Sequence, residues 1–123
     1  MAARVLIAED DGHIVESLSF ILGRDGFEVE SVADGEAALV RLAGPQRPDL
    51  LILDVMLPRR NGFEILKAIR ADTRLQALPV LMLTAKAQPH DRAAAQALGA
   101  DVYVTKPFAN SEVLAQARRL TLR

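Results

Sequence analysis

Asp49-Leu50-Leu51-Ile52-Leu53-Asp54-Val55-Met56-Leu57-Pro58 is the stretch that decides the fold. The apolar run from Leu50 to Leu53 is short for a helix and lacks the alternation of a strand with one wet face. It reads as a strand covered on both sides, as in a parallel sheet. A carboxylate, Asp54, stands where the run stops. Beyond it, Asn61-Gly62 supplies a helix N-cap, with Glu64 three residues after Asn61 in the position of a capping box.

Four further runs flank this one: Val5 to Ala8, Phe27 to Val32, Pro79 to Leu83 and Val102 to Val104. Their starts lie roughly 20 to 30 residues apart, the spacing of a strand plus a helical return. Between them the period changes. Ile14, Leu18, Ile21 and Leu22 share a helical stripe, as do Phe63, Leu66 and Ile69 with Ile65 beside them, and Val113, Leu114, Ala117 and Leu120. Asp34-Gly35 offers another N-cap, and Gly26, Gly44-Pro45 and Gly99 punctuate helix ends or turns. Strand then helix, five times over, predicts a doubly wound α/β sandwich filling residues 1–123 as one domain, with helices on both faces of a parallel sheet.

Composition bounds the function. The chain has 123 residues, 50% hydrophobic and 25% charged, a globular balance rather than a disordered one. A net charge of −1 with acids and bases interspersed leaves no broad basic field, so direct nucleic-acid binding is not expected. Cysteine is absent, which removes thiol catalysis and thiolate metal sites and suits a reducing compartment. There is no signal-type apolar segment after Met1-Ala2-Ala3-Arg4 and no run near the roughly 18 apolar residues of a membrane span. The cytoplasm is the expected location, with no membrane partner.

In an open parallel sheet, ligands bind beyond the carboxyl ends of the strands. Glu9, Asp10 and Asp11 follow the first run, Asp54 the third, Thr84 the fourth and Lys106 the fifth. Adjacent strands would gather these loops on one rim. Two carboxylates 4 Å apart repel by about 4 kcal/mol at an effective dielectric near 20, so a counterion is required. Hard oxygen donors without thiolate or a placed imidazole call for Mg²⁺ or Mn²⁺, which keep waters and leave positions for phosphate oxygens. Lys106 adds a point charge suited to an anion. Asp54 is then a carboxylate nucleophile able to form an aspartyl phosphate, with Thr84 donating its hydroxyl to a phosphoryl oxygen.

Leu6-Ile7-Ala8-Glu9-Asp10, the Asp49 to Pro58 stretch with Gly62, Leu83-Thr84-Ala85, and Gly99 through Lys106-Pro107-Phe108 occur in order and at compatible spacing. With them the chain resembles, over essentially its whole length, the receiver domains of two-component response regulators. The resemblance implies a flavodoxin-like (βα)5 fold with strand order 2-1-3-4-5. It implies Asp54 as the phosphorylation site, and Glu9, Asp10, Asp54 and the Met56 backbone carbonyl as metal ligands. Thr84 and Tyr103 would be a switch pair, Ala85 a small residue keeping the acceptor accessible, Lys106 the phosphate-contacting lysine, and the bond before Pro107 cis. Such a chain would accept its phosphoryl group from a histidine kinase or histidine phosphotransfer protein and pass the change to a downstream protein. The output surface would be the fourth helix, fifth strand and fifth helix, with a homodimer through that face as one use of it. It would not be an enzyme beyond catalysing its own phosphorylation and slow dephosphorylation. Met56 and Lys86 occupy places that tune phosphate lifetime, and the bulk of Met56 implies minutes or longer.

The chain departs from receivers joined to winged-helix domains at Val102 and Gln116, where a second acid and a basic residue often stand. Arg92, Asp101, Arg118 and Arg119 remain for ion pairs, but that charged dimer network is incomplete. Ala93, Ala94, Ala95 and Ala97 make the fourth helix flat or simply a good helix former. Asp11 reads as a cap on the first helix, and His13 and His90 as surface residues. Two other functions compete. A phosphatase of the haloacid-dehalogenase type needs a second aspartate two residues after the nucleophile, where Met56 stands. A receiver-like module without phosphorylation, binding or dimerising only, would not need the complete set of chemical residues. The chain given is compatible with a stand-alone receiver or part of a longer regulator.

Overall fold

The computed structural model describes residues 2–85 and 89–122, without the side chains of residues 89 and 90. Lys86 and the His90 side chain therefore lie outside the described residues. Ten elements alternate: β1 (Arg4–Ala8), α1 (Gly12–Arg24), β2 (Glu28–Val32), α2 (Gly35–Leu42), β3 (Leu50–Asp54), α3 (Gly62–Ala71), β4 (Val80–Thr84), α4 (Pro89–Ala97), β5 (Val102–Thr105) and α5 (Asn110–Leu120). The strands form one parallel sheet in the order β2-β1-β3-β4-β5. The winding reverses between β1 and β3.

The period of two along each strand sorts the apolar side chains into two cores. Leu6, Leu51, Leu53, Val80, Met82 and Tyr103 pack with Ala38, Ile65, Leu66, Ile69 and Ala95 on the face covered by α2, α3 and α4. Val5, Ile7, Leu50, Ile52, Leu81, Leu83 and Val104 pack with Leu18, Leu22, Val113 and Ala117 on the face covered by α1 and α5. That double burial explains the unbroken apolar runs of β3 and β4, whose residues are all buried. The second run behaves differently. β2 is an edge strand with Glu28, Glu30 and Ser31 exposed, and charges along an edge discourage pairing with another chain. Phe27 precedes the strand as a buried residue, and β4 begins at Val80 because Pro79 has no N–H for the ladder.

Helix starts follow local chemistry. Asp11 accepts from His13 N at 2.9 Å and Asp34 from Ala37 N at 2.7 Å. Asn61 and Glu64 close a reciprocal capping box on α3. Gly99 sits at φ 94°, where a side chain would be strained, and turns the chain from α4 toward β5.

Candidate metal centre

The sheet order sets the ends of β1, β3, β4 and β5 side by side at one rim. Glu9 leaves β1 with its amide bonded to Val32 O at 3.0 Å, so the edge strand fixes its backbone. Asp54 closes β3, and Val55 N bonds to Leu83 O at 2.9 Å, which keeps β3 and β4 registered to their last residues. Lys106 N bonds to Thr84 O at 2.6 Å, tying the end of β5 to the end of β4. The Lys106–Pro107 peptide is cis.

These bonds bring oxygens of Glu9, Asp10 and Asp54 within 4.8 Å of one another. Glu9 and Asp54 are buried, at 2% and 3% exposure, while Asp10 faces solvent. Lys106 reaches between them, Nζ 2.7 Å from Glu9 Oε1 and 3.5 Å from Asp54 Oδ2. Glu9 Oε1 is buried, and the lysine contact is a close ion pair rather than an aligned hydrogen bond, so this oxygen lacks a directed donor. Glu9 Oε2 accepts from Asp11 N at 3.2 Å, and Asp54 Oδ1 from Met56 N at 3.2 Å.

Electrostatics follow from the crowding. Burial, partly offset by Lys106 and reinforced by Asp54, pushes the Glu9 carboxyl up to about 7. Burial would lower the Lys106 ammonium, but Glu9 and Asp54 outweigh that and hold it above its ordinary value. Among the described residues, one lysine thus faces three converging carboxylates. Three converging hard oxygens, one of them without a directed donor, fit a small divalent cation with water in its remaining positions.

The other predicted residues take definite places. Thr84 is buried at 3% exposure and Ala85 beside it is exposed. Strand alternation puts Thr84 on the same sheet face as Tyr103, whose register partner in β4 is Met82. Tyr103 is buried, with the Arg92 guanidinium 5.0 Å above its ring centroid. Met56 has its backbone beside the cluster and its side chain 66% exposed. A cavity of about 530 Å³, lined by His13, Ile14, Ala85 and Phe108 among others, opens beside Lys106. His13 is exposed near the start of α1.

Gly62 has a role that its cap position did not suggest. A Cβ there would lie 2.5 Å from Asp54 O and 2.9 Å from Val55 Cα, so only glycine lets α3 start against the end of β3. Arg70 and the Arg92–Tyr103 contact were also missed by sequence reasoning. A basic residue in the last turn of α3 was the available signal for Arg70.

The ionic side chains expected to serve a dimer are largely engaged within the chain. Asp101 Oδ2 accepts from Val80 N at 2.8 Å and from Arg70 Nη2 at 3.2 Å, because it sits at the opposite rim beside an unpaired strand start. Arg118 pairs with Asp25 and Arg119 bonds to Gln116. The charge available for intermolecular pairing is smaller than the sequence alone implied.

A five-stranded parallel sheet in this order, with an acidic cluster and a lysine at its carboxyl rim, defines a receiver-type module. The chain belongs to the response regulator receiver domain family, whose model matches residues 5–118. It is 41% identical over 123 residues to the alkaline phosphatase synthesis transcriptional regulatory protein PhoP of Bacillus subtilis, spanning all of this chain and 50% of that protein. It is 37% identical to the phosphate regulon transcriptional regulatory protein PhoB of Escherichia coli, spanning 100% of this chain and 53% of that one. The chain therefore spans about half the length of these curated relatives. Among solved structures, the chemotaxis response regulator CheY4 of Vibrio cholerae matches with a TM-score of 0.90 and 36% identity, covering 98% of this chain and 99% of that one. Members of this family are signalling switches rather than classical enzymes. Among the described residues no helix is long and apolar enough to cross a membrane.

Proposed function

We propose that this chain, as one receiver domain over residues 1–123, is a switch set by Mg²⁺-dependent phosphorylation of Asp54. The observation that carries the reading is the convergence of Glu9, Asp10 and Asp54 within 4.8 Å, with Lys106 between the two buried carboxylates. A carboxylate oxygen of Asp54 attacks phosphorus; the new P–O bond forms as the bond to the donor's imidazole nitrogen breaks, and the electron pair leaves with the imidazole. No base is needed, because a carboxylate nucleophile has no proton to lose on attack. Glu9, Asp10, Asp54 and the Met56 carbonyl would hold Mg²⁺, which when bound supplies positive charge to the phosphoryl oxygens. Lys106 stabilises the same oxygens from the other side, and Thr84 donates its hydroxyl to one of them. Ala85 leaves the approach open.

The donor is a histidine kinase or phosphotransfer protein working in the cytoplasm. The phosphorylated state draws Thr84 toward the phosphoryl group and holds Tyr103 inward, reshaping the face of α4, β5 and α5 for a downstream protein or a second copy. Moving such an equilibrium from 1:99 to 99:1 takes about 5.5 kcal/mol of differential binding, within reach of a new charged group held by metal, ammonium and hydroxyl.

Incubation with acetyl phosphate and Mg²⁺ tests this. Wild type gains an acid-stable, base-labile acyl phosphate; Asp54→Ala gains none; chelation of Mg²⁺ blocks labelling. A folded wild type that stays unlabelled would leave a binding module without phosphorylation, and sustained turnover of phosphomonoesters would point to a phosphatase.

A further inference from the structure

We infer that Arg92 is a positioning residue for the switch, holding Tyr103 in its inward place through a cation–π contact. The inference rests on the switch role proposed above for Tyr103. Arg92 is an exposed residue of α4, and its guanidinium carbon lies 5.0 Å from the centroid of the Tyr103 ring, inside the range at which the ring quadrupole attracts a cation. The ring beneath is 9% exposed and packs among the core residues between the sheet and α4.

The two residues come from different elements, so the contact joins α4 to β5 within the face proposed to change on phosphorylation. A delocalised, weakly hydrated guanidinium stacks on an aromatic face better than an ammonium does. An outward ring would leave this place, and its contact with the guanidinium would be lost. Arg92 therefore interacts unequally with the two ring positions, and unequal interaction is what shifts a population. Because the inward ring shares a sheet face with Thr84, a bias toward it is also a bias toward the phosphate-binding state. Linkage makes the coupling reciprocal: whatever Arg92 adds to the inward population it adds to the affinity for a phosphoryl group. An exposed contact of this kind corresponds to about a two- to fivefold effect.

The chain suits a direct test, since it has one tyrosine and no tryptophan and its ultraviolet emission reports Tyr103 alone. The full chain is titrated with beryllofluoride at saturating Mg²⁺, with affinity from calorimetry and ring environment from emission. Arg92→Gln should weaken binding about two- to fivefold and make the Tyr103 emission of the unliganded protein more accessible to quenching by acrylamide. Arg92→Lys should recover part of the loss. The dependence on Arg92 should persist in a Tyr103→Phe background, which keeps a ring, and vanish in Tyr103→Leu, which does not. Lys67→Gln, an equal charge change on the exposed face of α3, should leave affinity unchanged. Equal weakening in the Tyr103→Leu background, an equal effect of Lys67→Gln, or no effect of Arg92→Gln overturns the inference alone. A folded wild type that fails to bind beryllofluoride overturns it together with the function on which it rests.

Discussion

Each rim of the sheet sets a base beside acid, buried at the carboxyl rim and exposed at Asp101 on the amino rim, and the two resolve the charge in opposite ways. At the amino rim, Arg70 donates to Gly99 O at 3.0 and 2.7 Å, to Leu78 O at 2.7 Å, to Gln76 O at 3.1 Å and to Asp101 at 3.2 Å. Asp101 also caps the first amide of β4. At the carboxyl rim, Lys106 is, among the described residues, the one cation paired with Glu9 and Asp54, whose other oxygens accept from the Asp11 and Met56 amides. A guanidinium offers five donors in a rigid fork, whereas an ammonium is a mobile point charge. The first suits a permanent joint. The second leaves room for another cation and an incoming anion.

The largest difference between the rims should emerge when the lysine is removed. Lys106→Met keeps the aliphatic stem but takes away one of the positive charges proposed to meet the transferring phosphoryl group. Loss of one such preorganised charge lowers rates by about 10²- to 10³-fold. The acetyl phosphate labelling rate of the variant, at saturating Mg²⁺ and with an unchanged circular dichroism spectrum, checks this. A rate within twofold of wild type would remove Lys106 from the chemistry.

Acid–base behaviour sharpens the contrast next. In Mg²⁺-free buffer burial should hold the Glu9 carboxyl up at about 7 in the folded protein, against about 4.5 for a solvated glutamate. Between those values the folded state binds more protons, so stability falls as pH rises from about 4.5 to about 7 and stays low above it. Urea melts of wild type across this window should show the decline, and Glu9→Gln should flatten it and be the more stable protein at pH 8. Added Mg²⁺ should abolish the decline, because the ion binds the ionised carboxylates. A wild-type stability that rises over the same window would refute the crowding of Glu9.

The carboxyl rim was far more legible in the sequence than the amino rim, and the reason is physical. Glu9, Asp54, Thr84 and Lys106 each stand where an apolar run ends, so strand periodicity alone delivers them to one place. Asn61, Gly62 and Glu64 announce a helix start by residue type, as the capping box on α3 shows. Nothing comparable marks Arg70. Its five hydrogen bonds go to backbone carbonyls and one acid drawn from two separate connections, and a long side chain bridging backbone groups leaves no period in the sequence. The same holds for Arg92, legible in the sequence as a charge for ion pairs but not as a cation over the Tyr103 ring. Asp101 was legible as a charge but not as a bound one, since its partner lies 31 positions away.

The smallest of the expected effects concerns that bound acid. Arg70→Met preserves much of the stem that packs beside Gly99 while leaving the Gly99 and Leu78 carbonyls and Asp101 without their charged donor. Half-buried acceptors recover part of the loss from water, so the cost should be about 1–3 kcal/mol rather than a collapse of the fold. It should also be indifferent to Mg²⁺, because the clamp stands a full strand away from the carboxylate cluster, roughly 15 Å for five residues. Denaturant melts with and without Mg²⁺ therefore form the decisive pair. The Mg²⁺-induced gain in stability of Arg70→Met should equal that of wild type, as expected for additive, distant sites. If the gain shrinks, the two rims are coupled through the strands, and the division of labour between a fixed joint and a charge-hungry pocket is wrong.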